Sequence, residues 1–467
     1  MTPLAAQMPG LPEAPPAGQK PEPSRSGPPP PPGTFLGGVP SGTATTEPLQ
    51  LSIADAINRA LEHNLGLLLA DEGVTRARGA RWRALAELLP NITGRIGEVR
   101  QQLNLAAYGF PLPEGFRSVV GPFNLFDARV HVSQSLLDLK SLNDARAETH
   151  NLAAARFDYK NARDLVVLVA VDSYAQALAA SARVGAARAQ VETSQVLYTQ
   201  AVDMKQSGLV AGIEVLRAQV QLDSDRQAAT GAQVNFEKAK LQLARLIGLP
   251  IGQTFRLSDQ ITSAPIPEMT IEEALERAYR TRGDYLAVIE RVHAAEASRQ
   301  AAVGEMMPSV RVTANYGDLG HSLGDSRGTF AVAGVVDVPI FQGGKVRGRL
   351  LEADADLRSR RADADELKAA IYYEVRTAML DLEAGNEQLQ VATRARELAA
   401  RQLTQARDRF AAGVAGNIEV VQAQGAVTQA TDQFIAALYT TNVAKGALVH
   451  AVGIAEETAR QLFGGLR

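Results

Sequence analysis

The chain repeats itself, and this duplication constrains its fold more than any single motif. The stretch "LSIADAINRAL" at 51–61 matches "MTIEEALERAY" at 269–279, at an offset of 218 residues. Further on, "TQAVDMKQSGLVAGIEVLRAQ" at 199–219 matches "TQARDRFAAGVAGNIEVVQAQ" at 404–424, at an offset of 205. Self-similarity of this extent predicts two copies of one structural unit rather than a sequence of unrelated domains.

A segment of different composition precedes the repeats. Residues 1–48 hold 14 of the 23 prolines, so we expect a disordered, partly extended arm. The body then divides into a first repeat at 49–250 and a second at 251–467. Because the offset falls from 218 to 205, the first repeat carries extra residues. We place them in the Gly-, Pro- and Phe-rich stretch 104–126, which is expected to be a loop.

Each repeat is predicted to hold a helix, two strands and two long helices. The strands are indicated by alternation of apolar with polar or small residues in "ARVHVSQ" at 128–134, "SVRVTANY" at 309–316 and "FAVAGVVDV" at 330–338. Alternation with period two fits a sheet that faces water on one side and either lipid or a protein core on the other.

The helices that follow the strands are unusually long. From about 139 to 206, and again from about 345 to 412, no proline occurs and apolar residues recur at three- and four-residue spacing. At 1.5 Å per residue each helix would be on the order of 100 Å long. Such a helix needs other long helices beside it to cover its apolar stripe. No transmembrane helix is predicted, because the best apolar run, at 165–171, is far shorter than about 18 residues.

Composition excludes several classes of function. The 48 basic and 51 acidic residues leave a net charge of −3, so no basic field indicates a nucleic-acid partner. The absence of cysteine excludes disulfides, thiolate metal sites and a cysteine nucleophile. We identify neither a GxSxG motif nor a helix-borne Glu-x-x-His pair, and the six histidines are scattered. The chain is therefore predicted to be no enzyme and to hold neither metal nor cofactor. Its first ten residues also lack the pattern of a signal peptide.

Proline and glycine mark the junctions between strands and helices. Pro90 and Pro308 align between the repeats and precede the expected strands. Pro339 ends a strand because proline cannot donate to a sheet ladder, and Gly343 with Gly344 allows the change of direction into the next helix. The "GGK" that these glycines begin lacks the spacing and the Ser or Thr of a phosphate-binding loop.

Two interruptions, at 206–215 and 411–420, break the long helices in the same way. Glycine in a helix interior costs about 1 kcal/mol relative to alanine, so clustered breakers predict a turn. Both stretches are therefore expected to be tips of helical hairpins. Glu214 and Glu419 follow the turns, where an acidic side chain in the first turn stabilises a helix N-terminus.

Taken together, these features resemble the TolC-like outer-membrane efflux and secretion channels. The resemblance covers roughly 49–460 and rests on four features: the tandem repeat, the "LSIADAINRALEHN" opening, the Pro-Ile-Phe-Gln-Gly-Gly junction and the two duplicated turns. It implies an α+β membrane protein that is a homotrimer. Each protomer would give four strands to one twelve-stranded outer-membrane β-barrel in lipid, continued by a long periplasmic α-helical barrel.

The resemblance also implies a function and a location. The chain would be the exit duct of a tripartite efflux or secretion system in the bacterial outer membrane, extending into the periplasm. Transport through it would be passive. An inner-membrane pump, either a proton-driven exporter of the RND type or an ATP-driven ABC exporter, would deliver substrates through a periplasmic adaptor protein.

The resemblance further assigns roles to individual residues at the tips. Glu419 falls on an acidic position that narrows the aperture, and three copies would form a negative ring that favours cations. Glu214 falls on an acidic residue that helps to hold the hairpins closed. The residues on the adaptor-docking turns are Gly208, Leu209 and Val210 in the first repeat and Gly413, Val414 and Ala415 in the second.

The chain departs from the family pattern at three positions in or near the tips. Gln422 replaces a second acidic residue, Ala415 an arginine latch, and Phe410 a tyrosine. We therefore expect closure to depend on packing more than on a salt-bridge latch. The alternative function is a non-channel scaffold of long coiled coils, which would contain no sheet.

Overall fold

A computed structural model of the chain describes residues 35–109, 117–259, 269–412, 414 and 416–457. Within these residues the chain forms two units with the same order of elements: a short strand, two helices, two long strands and two long helices. The predicted order is therefore present in both repeats, except that the predicted first helix is two helices.

The helices of the two units match closely in length. The elements of the first unit are β1 (Leu49–Leu51), α1 (Ile53–His63), α2 (Leu65–Ala86), β2 (Asn91–Asn104), β3 (Val119–Leu137), α3 (Leu139–Gln206) and α4 (Gly212–Leu246). Those of the second are β4 (Phe255–Leu257), α5 (Ile271–Thr281), α6 (Gly283–Gly304), β5 (Ser309–Gly320), β6 (Ser326–Asp337), α7 (Lys345–Ala411) and α8 (Asn417–Ala451). The long pair α3 and α7 has 68 and 67 residues, and α4 and α8 have 35 each. Strand β1 pairs in parallel with β4 and so joins the two repeats.

A buried polar residue breaks the first helix of each repeat. Asn64 is fully buried, caps α2 with its side-chain oxygen and donates its amide to the carbonyl of Phe35 at 2.7 Å. Asparagine is a favoured N-cap because its side chain accepts from the free N–H groups of the first turn. The corresponding Arg282 is 4% exposed and donates to Asp284 and Glu374. The pattern of apolar residues continues through both breaks, which is why the sequence predicted one helix.

The segment 35–48 is not the disordered arm that its proline-rich neighbourhood predicted. Gly38 donates its backbone N–H to the carbonyl of Arg245 at 2.8 Å, and Phe35 packs against the main core. Burial of an aromatic ring and pairing of backbone groups fix this segment on the helices. The rest of the predicted arm, 1–34, lies outside the described residues.

The main core lies where α1, α3, α4, α5, α7 and α8 meet, around the middle of α3. Fully buried Tyr174 donates its hydroxyl to the carbonyl of Leu51 at 2.9 Å and contacts Asp259 at 2.7 Å. Among the described helices, α3 alone is long and apolar enough to cross a membrane, and 56% of its apolar window is buried inside the chain. Polar residues interrupt this window, so the sequence did not predict it as an apolar run. Its burial is that of a core helix.

The four long strands form one antiparallel sheet in the order β2-β3-β5-β6. The predicted loop at 104–126 is wrong in part, because 119–126 belongs to β3. The extra residues of the first repeat therefore lengthen the β2–β3 hairpin. A register shift between Gln101 and Leu103 lies opposite Pro122, a position at which a strand tolerates proline.

The sheet has one apolar and one polar face. Val130 is paired with Tyr316, which is paired with Phe330, and both aromatic rings are more than 70% exposed. The next residue on each strand points to the other side, where Arg129 forms a two-pronged ion pair with Asp127. Within the described part of the chain, β2 and β6 each pair on one side only.

Candidate functional site at the hairpin tips

The two hairpin tips share one backbone hydrogen bond at the end of the long helix. After α3, Gly208 adopts a left-handed conformation with φ of +72° and donates its N–H to the Lys205 carbonyl at 3.0 Å. Leu209 N–H donates to the Met204 carbonyl at 2.8 Å. These two bonds define a Schellman motif, in which glycine carries the left-handed residue without strain. After α7, Val414 N–H donates to the carbonyl of Arg409 at 3.0 Å, the equivalent of the Leu209 bond.

The tips present apolar side chains to solvent. Leu209 is 72% and Val414 71% exposed, and Val210 is partly buried. Gly413 and Ala415, which the resemblance assigned to the second docking turn, lie outside the described residues. The exposed surface continues down the first turns of the following helices through Ile213, Leu216, Val220 and Ile418.

An arginine forms an ion pair with Glu419, but it is not at position 415, where the family pattern has its arginine. The Nε of Arg409, in the last turn of α7, is 3.1 Å from an Oε1 of Glu419 in the first turn of α8. The pair spans the turn of one hairpin and is about half exposed, with side chains 58% and 43% accessible. The family pattern placed the arginine at Ala415, so Arg409 was not predicted, although an arginine before the turn and a glutamate after it are visible in the sequence.

Glu214 has an arginine neighbour as well, on its own helix. The Nη1 of Arg217 donates to Glu214 Oε1 at 2.7 Å. The helices that begin at these two tips have Ala211 and Gly416 at their N-caps, and neither makes a side-chain cap bond. An acidic side chain in the first turn is then the remaining stabilising group for each helix N-terminus.

Phe410 packs inside the chain. Its side chain is 2% exposed and belongs to an apolar cluster, called here the tip cluster, which consists of Leu197, Leu403, Ala406, Phe410, Val420 and Ala423. Since Leu197 comes from α3, the cluster joins the second hairpin to the first. Gln422, one turn after Glu419, is exposed and stands outside this cluster.

A buried polar group lies beside the tip cluster, and no sequence motif predicts it. Gln424 of α8 is fully buried and donates its amide to Ser194 of α3, which donates to Asp225 of α4. Gln221 also donates to Asp225 at 3.0 Å. Buried polar groups need partners, so this chain of bonds links three helices of the two hairpins.

The predicted junction residues lie between helices and strands. Pro90 and Pro308 immediately precede β2 and β5, and Pro339 follows the end of β6. Gly343 and Gly344 have φ of +58° and +84°, and Gly344 is the N-cap of α7. The left-handed backbone at both glycines turns the chain from the sheet into the long helix.

One prediction about metal-binding residues is wrong. Glu290 and His293, in "ERVH" on α6, are a helix-borne Glu-x-x-His pair, and the structure brings His150 of α3 to them. His150 and Glu290 are 140 residues apart in the sequence, so no local motif groups the three residues.

The fold is that of outer-membrane channels of known structure. The Campylobacter jejuni CmeC channel is 18% identical, with a TM-score of 0.72 over 93% of this chain and 96% of that one. The open state of the Neisseria gonorrhoeae MtrE channel is 19% identical, with a TM-score of 0.73 over 89% and 94%. For VceC from Vibrio cholerae the values are 19%, 0.71, 86% and 96%. No curated protein sequence matches this chain.

The sequence profile of the outer membrane efflux protein family matches residues 56–249 and 274–454, nearly the whole of both repeats. The chain belongs to this family. Its place is therefore the outer membrane, with the helices extending into the periplasm. The resemblance seen in the sequence is confirmed, and the family is one of transport channels rather than of enzymes.

Proposed function

We propose that three copies of this chain form the exit duct of a tripartite efflux or secretion system. Substrates pass through it without energy supplied by the duct. An inner-membrane pump delivers them through a periplasmic adaptor that docks on the hairpin tips. The chain's membership of the outer membrane efflux protein family supports this proposal at the level of the class of transport.

The observation that supports association of several copies is the open sheet. It exposes an apolar face, including Ile92, Tyr316, Phe330 and Val332, and within the described residues both edge strands pair on one side only. In lipid, the backbone N–H and C=O groups of the two edge strands find partners only if the sheet closes. Pairing of β6 of one copy with β2 of the next would close it and place the apolar face toward lipid.

The long helices support a tunnel of several copies. On α7 alone, large apolar or aromatic side chains stay exposed at several turns, namely Leu351, Tyr373, Leu380, Val391 and Leu398. Exposed apolar stripes of this length mark surfaces that other protein covers. Helices of neighbouring copies would cover them in a continuous helical barrel.

The alternative scaffold of coiled coils predicted no sheet. The four-stranded sheet contradicts that prediction. The exit duct is tested by extracting the protein in detergent, measuring its mass and recording conductance in planar bilayers. We expect a trimer that forms stable pores. A monomer that stays in solution without detergent and gives no conductance would exclude the duct.

At the aperture, we propose that Glu419 gives the pore its cation preference and that Arg409 weakens it. Three carboxylates around a common axis would attract cations, while a guanidinium at 3.1 Å from each lowers the local negative potential. Glu214, paired with Arg217, and Phe410, packed in the tip cluster, then hold the hairpin ends in position, and the exposed, uncharged Gln422 is a further residue of the aperture.

Reversal potentials measured across a salt gradient test this assignment. Glu419→Ala should lower the cation preference, and Arg409→Ala should raise it. Arg401→Ala, on the same helix but about 12 Å further from the tip at 1.5 Å per residue, is the matched control. Equal reversal potentials for wild type and Glu419→Ala would leave Glu419 with its helix-stabilising role alone.

For docking, we propose that the apolar tip residues Leu209, Val210 and Val414, together with Gly208, Gly413 and Ala415, receive the adaptor. Exposed apolar side chains at the end of a rigid hairpin suit a partner that buries them. Leu209→Ser with Val414→Ser should reduce export in cells without changing single-pore conductance. Val196→Ser, an exposed apolar residue away from the tip, serves as control. Normal export by the tip variant would place the docking site elsewhere.

A further inference from the structure

We propose that His150, Glu290 and His293 bind a divalent transition-metal ion such as Zn²⁺, which joins helix α3 to helix α6. The three side chains come from both helices of one packed pair, at a distance from the hairpin tips. The site is independent of the aperture and docking residues.

The ligand atoms already converge. Each residue offers one ligand atom, and the three lie within 4.8 Å of one another. The Nδ1 of His150 is 2.7 Å from Glu290 Oε2, and the Nδ1 of His293 is 3.8 Å from Glu290 Oε1. Around a tetrahedral zinc with bonds of about 2.0 Å, ligand atoms are about 3.3 Å apart. Small rotations of exposed side chains therefore suffice to form the site.

An ion pair between Glu290 and His150 alone does not account for the third residue. Glu290 directs one carboxylate oxygen toward His150 and the other toward His293. The two imidazole rings lie with centroids 5.4 Å apart on the same carboxylate. Glu290 and His293 are three residues apart on α6, which puts them on one face of that helix.

The backbone around the site is held at both ends. A Cβ on Gly283 would lie 2.5 Å from the Phe157 carbonyl oxygen, and one on Gly304 would lie 2.8 Å from the Lys140 nitrogen. The helices therefore run antiparallel and touch at both ends of α6, with the His150–His293 pair about midway between these contacts. Ligands on rigid, closely packed helices are preorganised for an ion.

The donor set selects the class of metal. Two imidazoles and one carboxylate suit Zn²⁺, Cu²⁺, Ni²⁺ or Co²⁺, whereas Mg²⁺ and Ca²⁺ prefer oxygen ligands. The side chains of His150, Glu290 and His293 are 38%, 23% and 46% exposed. One side of the site is thus open to solvent, so an ion can enter and a water can complete four-coordination.

Metal content tests the proposal directly. Untagged, full-length protein in detergent is equilibrated with a slight excess of Zn²⁺ and separated from free ion, and bound zinc is measured by mass spectrometry of the element. We expect one zinc per protomer. His150→Ala and His293→Ala should each weaken binding by at least the roughly 100-fold that loss of an outer-shell partner can cost. His321→Ala, which changes an exposed histidine in the sheet region, should bind as wild type does.

Two further measurements guard against misfolding of a variant. Glu290→Gln keeps the shape of the side chain but removes the charge, and it should lose zinc while the protein stays folded. Co²⁺ in place of zinc should give the visible absorption of a four-coordinate site in wild type and in His321→Ala only. Zinc-free wild type, or equal binding in wild type and in His293→Ala, would overturn the proposal. Because the readout is bound metal, this result is separate from any test of conductance.

Discussion

The two hairpin tips share a backbone hydrogen bond but differ in which arginine pairs with their glutamate. In each tip an equivalent backbone hydrogen bond, Leu209 to Met204 and Val414 to Arg409, follows the long helix, and a glutamate lies in the first turn of the next helix. In the first tip the partner of Glu214 is Arg217, on the same helix, whereas in the second the partner of Glu419 is Arg409, across the turn. Each tip thus has one arginine on its glutamate, but the two arginines stand at non-equivalent positions, after Glu214 in the first tip and before Glu419 in the second.

The tips differ also in how they pack. Lys205 is exposed, while its equivalent Phe410 is buried in the tip cluster. Gln219 is exposed, while its equivalent Gln424 is fully buried and bonded to Ser194. The second hairpin is therefore fastened to α3, and the first has more of its surface free. Duplication kept the turn, and divergence changed what each turn is attached to.

The largest effect is expected from removing the aromatic anchor. Phe410→Ala should destabilise the second tip by about 3 kcal/mol, since Phe-to-Ala changes in a packed core cost about 3–5 kcal/mol. Hydrogen exchange of the amides around the tip measures it. Lys205→Ala, the matched change in the first tip, should cost less than about 0.5 kcal/mol as a surface substitution. Equal loss of protection in both variants would contradict the asymmetry.

A smaller effect is expected from the buried amide. Gln424→Ala should cost about 1–3 kcal/mol, because it removes a hydrogen bond from the buried Ser194–Asp225 pair. Limited proteolysis of the second hairpin should become faster. Gln219→Ala tests the exposed equivalent and should leave the cleavage rate unchanged. If both variants are cut at the wild-type rate, the polar group does not hold the hairpins together.

The turn of the first tip should respond at its left-handed glycine, Gly208, and not at Gly212. Gly208→Ala forces a Cβ into a left-handed residue and should cost about 1 kcal/mol. Gly212→Ala, at the first residue of α4, has no positive φ, and its Cβ would meet only the Lys205 side chain at ordinary distance. We expect it to be neutral or stabilising. Thermal unfolding followed by circular dichroism compares the two, and a reversed order would refute the turn assignment.

The smallest effect on stability is expected from the charged pair. Arg409→Met, which copies the equivalent residue of the first tip, removes a half-exposed ion pair worth less than about 1 kcal/mol. The difference from wild type in the free energy of unfolding should shrink further in high salt, because salt screens exposed charges. A difference that grows with salt would point to packing by Arg409 instead of charge.

Much of the architecture could be predicted because both repeats show the same short sequence patterns, each of which depends on neighbouring residues. The ends of α3 and α7, the strands after Pro90 and Pro308, and the glycine turns all depend on nearby residues. The resemblance then supplied the class of protein. The break at Asn64 and the strand within 104–126 were missed, since a buried polar cap and a hairpin extension depend on contacts with distant segments.

The details of the candidate sites were less accessible for the same reason. Arg409 was not predicted, because the family pattern places the arginine where this chain has Ala415. His150 could not be joined to Glu290 before the packing of α3 on α6 was known. The burial of Gln424 and the exposure of Gln219 cannot be told apart from two copies of the same "AQ" motif. Side-chain pairing across helices is fixed by tertiary packing, which local patterns do not encode.

The open sheet has a consequence for biogenesis. A lone sheet with an apolar face and two pairing edges invites aggregation in water, and in a bilayer its edge groups would lack partners. A single copy of the sheet β2-β3-β5-β6 is therefore stable neither in water nor in a bilayer. In the proposed trimer, strand formation, membrane entry and association of copies therefore coincide. The yield of inserted protein should therefore fall steeply on dilution of the chains.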